Sequence, residues 1–349
     1  MNNDQRLSAA ITWLRFPLIF FILLLHGYSV VRLEGDAAGS YFKTVYPFAL
    51  WIGETGVPGF FFISGLLFFL SKKHYRQKLT SRVNTLLVPY LIWNSLLLLC
   101  YLIAFFAGHP QAINGKSIAS FDAIDYLRLY WDRGTFDDGN FTPILCPFWY
   151  IRNLLVMSVL SPLFFYFIKF GRELFLAAVF AWWLTTPHNA FIPQTVLFFC
   201  LGGYFAVFGR NVLSLCLRHQ RVILPVCLAL ALGDIITHTC LPTPYNLQLH
   251  RMALAINIPA LFLLADYRSR KRPMPAFLTN AAFVTFALHY PIIVILRKAC
   301  IHTFADASAL THVLLYFGCI LLTLGICLAA CYLLDLHFSR TKRYLSGNR

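Results

Sequence analysis

The sequence predicts an all-α integral membrane protein, with about ten transmembrane helices enclosing a polar tunnel or cavity, and three observations carry that expectation. Hydrophobic residues make up 59% of the 349 and charged residues only 12%, at a mean hydropathy of +0.66, too apolar for a soluble globular chain. Apolar runs of roughly membrane-crossing length recur from one end to the other. Basic residues alternate in the gaps between them: with the N-terminus placed in the cytoplasm, nineteen Lys and Arg fall inside and eight outside, while Arg15 and Arg152 lie in spans. That bias predicts cytoplasmic termini at both ends. The net charge of +15 is spread along the chain instead of being gathered on one soluble face, so no nucleic-acid partner is expected.

The runs fall at 11–31, 47–70, 86–107, 148–168, 174–187, 192–209, 222–240, 250–266, 276–296 and 312–336, and the fifth is short for a full crossing. They use nearly the whole chain, which reads as a single polytopic domain over residues 1–349. The 34 Phe and 17 Tyr suit contact with membrane lipids, and Trp13, Trp51, Trp93 and Trp149 stand near run ends, as an interfacial belt would. Residues Met1 to Ser8 are polar, and the first run is longer than a signal-peptide core with no small-residue cleavage site behind it. It is therefore expected to be retained.

That first run carries Arg15 and His26. Eleven helical steps amount to three turns plus roughly 20°, so the two side chains point the same way about 16 Å apart. Ionisable groups buried on one face of a membrane helix are costly unless they line a polar path, so the pair marks two stations on one route. The second run reads Gly53-Glu54-Thr55-Gly56-Val57-Pro58-Gly59 and continues Phe60-Phe61-Phe62-Ile63-Ser64-Gly65. Gly and Pro at this density break a helix or bring backbones close, which is tolerated at membrane depth only beside a cavity. Lys72, Lys73, Arg76, Lys78 and Arg82 then form a basic cluster ahead of the third run, suited to an anionic, phosphate-rich ligand.

The long outer loop, 108–147, interleaves Asp122, Asp125, Asp132, Asp137 and Asp138 with Tyr126, Tyr130 and Trp131. Rings that stack on sugars beside carboxylates that accept from hydroxyls suit a glycan; a solvated loop with an interfacial helix over 121–131 is the plainer alternative. Arg152 lies four residues into the fourth run, and His289 eight residues short of Arg297. His26, Glu54, Arg152 and His289 thus come from four helices at one depth, in the outer third of the membrane. A histidine beside a carboxylate makes a general base, which assigns proton transfer to His26 with Glu54 as its orienter. Arg152 or His289 would stabilise the oxyanion or place the sugar. Asp234, His238, Asn94 and Asn257 are read as structural. The ten Cys contain no CxxC pair, and only Cys146, Cys240 and Cys300 fall at outer ends, as disulfide candidates.

Five segments in order resemble the membrane-bound acyltransferase family 3. They are Arg15-x10-His26; Gly56-Val57 followed by Phe60-Phe61-x-x-Ser64-Gly65; Arg82 ahead of Leu87-Val88-Pro89-Tyr90-Leu91-Ile92-Trp93; Phe148-Trp149-Tyr150-Ile151-Arg152 running to Ser161-Pro162-Leu163; and Leu288-His289-Tyr290-Pro291. The resemblance implies a bacterial inner-membrane O-acetyltransferase. It would take acetyl from cytoplasmic acetyl-CoA and pass it to a hydroxyl of an extracytoplasmic cell-surface glycan or lipid-linked sugar, with no metal ion. It also implies that His26 is catalytic, that Arg15 is essential, and that Arg15, Ser64 and Arg82 serve the acyl-CoA donor. The chain departs from the family where Thr85 replaces the second Arg of an Arg-x-x-Arg pair, where Asn153 stands for a frequent Asp, and in showing no fused hydrolase-like domain. A transporter or flippase is the rival class, since it too needs an aqueous path and buried charge. No internal repeat supports it.

Overall fold

The structure, a computed structural model, describes residues 2–28, 33–135, 141–187 and 191–347. Val31 and Arg32, Asp137 and Asp138 of the outer loop, and Arg349 lie outside the described residues.

All ten apolar runs are helical where described. They build α1 (Asn3–Gly27), α2 (Gly35–Leu70), α3 (Tyr75–Phe106), α4 (Cys146–Val159), α5 (Ser161–Thr185) and α6 (Phe191–Val207). There follow α7 (Val212–Arg218), α8 (Gln220–Thr239), α9 (Asn246–Lys271), α10 (Ala276–Thr303), α11 (Ala309–His337) and a C-terminal α12 (Ser339–Ser346). Seven of these are long and apolar enough to cross a membrane, or up to nine if each bent pair counts as one span. The expected ten is corrected at the fourth and fifth runs. The fourth run breaks at Leu160 into α4 and the first part of α5, and α5 continues through the fifth run, the pair being bent by 68°. A second pair, α6 and α7, is bent by 93°.

Local chemistry sets several ends. Asn2 starts α1 with a capping box, accepting from the Gln5 N–H while the Gln5 side chain returns to the Asn2 N–H. Ser308 caps α11 by accepting from the Thr311 N–H. Arg6 at the start of α1 makes a two-pronged ion pair with Asp266 near the end of α9, at 2.9 and 2.7 Å, and Asn211 before α7 donates to Asp4 at 3.1 Å. Short turns then reverse the chain between α9, α10 and α11, so the C-terminal end returns to the face that holds the N-terminus.

The tightest crossing is between α2 and α6. A Cβ on Gly65 would collide with the Phe199 carbonyl, and one on Gly202 with the Phe62 carbonyl, so glycine is required where the two backbones touch. Trp93 and Trp149 do not form an interfacial belt: both are buried, and Trp149 stacks on Phe191 with ring centres 3.8 Å apart. All ten cysteines are free, and the sulfur beside Cys300 belongs to Cys319, at 3.5 Å, not to Cys146 or Cys240. In the outer loop a two-stranded hairpin, β1 (Ala112–Ile113) with β2 (Lys116–Ser117), turns on Asn114-Gly115, both with positive φ. The helix expected over 121–131 is limited to Ala123–Arg128, capped by Asp122.

Candidate active site

A cavity of about 460 Å³ runs into the bundle from the face that holds the chain ends. Its wall brings together Arg15, Ser64 and Arg82, which lie far apart in sequence. The Gly65 crossing fixes the turn of α2 that presents Ser64, whose Oγ lies 3.0 Å from the Tyr150 hydroxyl on α4. Arg82 stands over the Phe68 ring, 5.5 Å from its centre. Arg15 also lines an adjoining cavity of about 380 Å³ with Asp4, Arg210 and Asn211. Neither Arg15 nor Arg82 is within ion-pair distance of a carboxylate among the described residues. Two unneutralised guanidinium groups with a hydroxyl between them make a cavity suited to a phosphate-bearing molecule, and its size falls in the usual ligand range of about 300–1,000 Å³.

Phe286 is among the residues that line this cavity. Beyond that ring stands His289, 5.9 Å from it, and beyond His289 stands His26, 5.3 Å centre to centre. The edge of Tyr290 lies 5.1 Å from His26 on its other side. His289 is fully buried, and its Nδ1 sits 2.7 Å from the Phe286 carbonyl. A carbonyl can only accept, so Nδ1 carries the proton and the neutral ring keeps its lone pair on Nε2. That Nε2 is buried and has no hydrogen-bond partner among the described residues. The His26 carbonyl accepts from Arg297 at 2.8 Å. Its imidazole makes no hydrogen bond to any described residue.

Two of the expected residues lie elsewhere. Glu54 meets His250, with Oε2 3.1 Å from Nε2, and Asp234 meets the other ring nitrogen at 3.0 Å. Asp234 also accepts from the Tyr46 hydroxyl at 3.0 Å and lies 3.0 Å from His238. The structure thus pairs Glu54 with His250 and not with His26. Gly53 abuts α1, where an added Cβ would lie 2.9 Å from the Leu25 nitrogen, but Glu54 is turned a further 100° toward α8 and α9.

Arg152 is buried and spent on the outer loop. It donates to the carbonyls of Trp131 and Phe141, binds Asn153 through Nε and NH2 at 3.1 and 2.9 Å, and stacks between the Trp131 and Phe141 rings. It braces a strap, residues 129–135 against 141–145, in which the Arg133 N–H donates to Thr142 and the Ile144 N–H to Leu129. Among the described residues, no group of three or more His, Cys, Asp and Glu could hold a metal ion.

Sequence reasoning missed Tyr150, Tyr290, Arg297 and Arg133 as neighbours of these positions, and it missed His250. Tyr150 and Tyr290 lie inside the two motifs that gave Arg152 and His289, where an aromatic flanking a charged residue was a usable signal. Nothing local in the sequence marks Arg133.

The site thus combines a cavity that holds two arginines with a pair of histidine rings beyond Phe286. The model of an acyltransferase domain, Acyl_transf_3, matches residues 8–332, and the chain belongs to the acyltransferase 3 family. It is similar to the succinoglycan biosynthesis protein ExoH of Rhizobium meliloti (strain 1021), at 25% identity over 310 residues, which cover 84% of this chain and 80% of that protein. No solved structure matches the chain.

Proposed function

We propose that this membrane acyltransferase moves an acetyl group from acetyl-CoA, entering from the cytoplasmic face, to a hydroxyl of a cell-surface glycan or lipid-linked sugar outside a bacterial inner membrane. The observation that carries the reading is the succession from the cationic cavity to the Phe286 ring on its wall, then to His289 and His26. In the reaction the acceptor oxygen attacks the thioester carbonyl carbon. A C–O bond forms, the C–S bond breaks, and the hydroxyl proton passes through His26 to the departing CoA sulfur. Arg15 and Arg82 hold the donor phosphates, Ser64 and Tyr150 line the arm that carries the thioester, and His289 keeps His26 in place. The excess of basic residues in the segments on the face that holds both chain ends supports a cytoplasmic assignment for that face. The printed name of the Rhizobium relative supports a polysaccharide acceptor.

Purified protein in nanodiscs should bind acetyl-CoA, and Arg15→Gln or Arg82→Gln should each weaken binding about tenfold by removing one charge-assisted phosphate contact. Titration calorimetry measures it. A wild-type protein indifferent to acetyl-CoA would return the chain to the transporter class.

A further inference from the structure

The last turn of α1, which carries His26, is gripped from two helices at once. From α10, Arg297 NH1 donates to the His26 carbonyl at 2.8 Å. From α11, the Tyr316 hydroxyl donates to the Leu24 carbonyl at 2.9 Å. Ile320, on the same helix, packs so closely on Gly27 that an added Cβ there would lie 2.6 Å from its side chain. The last carbonyls of a helix have no partner within it, so these donors from other helices complete the end of α1 and fix the turn from which His26 projects.

Each hydrogen-bond donor of this grip is followed three positions later by a cysteine: Cys300 after Arg297, and Cys319 after Tyr316. Residues three apart lie on one side of a helix, about a turn along, so each thiol sits next to a gripping side chain. The two sulfurs are 3.5 Å apart, and both cysteines are free thiols. The bond in a disulfide is about 2.05 Å long, so a further approach of about 1.5 Å would join them. Cys300 is half-buried and Cys319 is buried, which makes Cys300 the thiol that a reagent meets first. The turn they flank is at the end of α1 away from the N-terminus, so the topology of the proposed function places the pair on the extracytoplasmic side, where disulfides persist.

We propose that Cys300 and Cys319 are the site of a disulfide that locks α10 to α11 around the His26 turn. The Cys300 thiolate attacks a disulfide-bearing thiol oxidant outside the membrane and releases one of its two thiols. The Cys319 thiolate then attacks the mixed disulfide at the Cys300 sulfur, and the second oxidant thiol leaves. Two cysteine thiols are oxidised, the oxidant's disulfide is reduced to two thiols, and the two protons lost by the cysteines end on those thiols. With the helices joined, the Arg297 and Tyr316 bonds open less often, and His26 is held in one orientation. The side of the membrane rests on the topology of the proposed function; the bond itself requires no acyl transfer.

Bacterial cells carrying the full-length protein are quenched in trichloroacetic acid, alkylated with N-ethylmaleimide in detergent, and mapped by mass spectrometry of chymotryptic peptides without reduction. The expected result is a Cys300–Cys319 linked peptide, with the other eight cysteines alkylated. The native protein, purified in nanodiscs, is then compared before and after reduction with dithiothreitol by hydrogen exchange. Amides of the last turn of α1 should exchange about tenfold more slowly in the cross-linked form. Cys300→Ser and Cys319→Ser should each exchange like the reduced wild type and no longer respond to dithiothreitol. The wild-type comparison needs no substitution, so it stands even if a variant fails to fold. Full alkylation of both thiols in quenched cells, or a bond from either one to another cysteine, overturns the proposal. So does a Cys300–Cys319 bond whose reduction leaves exchange at the His26 turn unchanged. If the thiols are free while the purified protein binds acetyl-CoA, only the disulfide falls; if the bond is found and acetyl-CoA does not bind, only the acyltransferase reading does.

Discussion

Two histidines in this bundle are treated in opposite ways. His250 is held at both ring nitrogens by carboxylates, Glu54 at 3.1 Å and Asp234 at 3.0 Å, with Tyr46 and His238 closing the group. His26 touches two rings, His289 and Tyr290, and no carboxylate among the described residues. The first arrangement is what a buried polar group needs to be stable, since each polar atom has a partner. The second sets a partly exposed ring beside another whose buried Nε2 has no partner among the described residues, an arrangement that structure alone does not reward. Under the proposed function, the difference separates an imidazole that holds helices together from the one assigned to proton transfer.

The largest effect expected from that contrast is on activity. His26→Ala should lower acetyl transfer to the cell-envelope glycan by about 10²–10⁴-fold, the usual worth of a general base, and leave the melting temperature of the purified protein nearly unchanged. Labelled acetyl-CoA given to membrane vesicles, with thermal unfolding of the same preparation, measures both. A variant that unfolds, or one that transfers normally, breaks the contrast.

His250→Ala should show the reverse. Removing it leaves Asp234, which is wholly buried, and Glu54 without their shared imidazole partner. Breaking such a group costs about 3–5 kcal/mol, and the lower end applies because Glu54 is partly exposed. The melting temperature should fall by several degrees, while vesicles that still contain folded protein keep their acetyl transfer. Loss of transfer without loss of stability would move the Glu54–His250–Asp234 group into the reaction.

The same contrast shows how much of the molecule could be read from the residues in order. Helix positions followed from apolar runs, because a bilayer of fixed thickness imposes a length that shows in composition. Arg15, Ser64 and Arg82 were legible through motifs, and the structure brings them to one cavity. The partner of His26 was half legible: depth along a helix counts residues and nominated both His289 and Glu54, and the structure sets His289 beside His26 but Glu54 on His250. Direction around a helix changes by 100° per residue, and the broken stretch from Gly53 to Gly59 carries no periodic pattern to fix it. Glu54 therefore faced the wrong way in the reading, and Arg152 looked free when it is committed to the carbonyls of Trp131 and Phe141. Arg133 was out of reach altogether, since its place depends on a strap closed by long-range backbone bonds.

The smallest effect tests whether carboxylate pairing matters here only when it is buried. Lys116 donates to Asp125 in the outer loop, and that hydrogen bond, with the Asp122 backbone N–H behind it, holds the Asp125 carboxyl below the usual carboxylate range. A carboxylate depressed on folding contributes stability above its unfolded pKa and loses it as pH falls through the folded value, so any loss is confined below about pH 4. Both side chains reach solvent, where water and salt already serve each charge. Lys116→Gln should therefore shift the melting temperature by less than about 1 °C at pH 7 and leave no difference from wild type at pH 3. A shift of several degrees at pH 7 would mean that an exposed pair at the loop does what the Asp234 group does in the core, and burial would then not be what distinguishes His250 from His26.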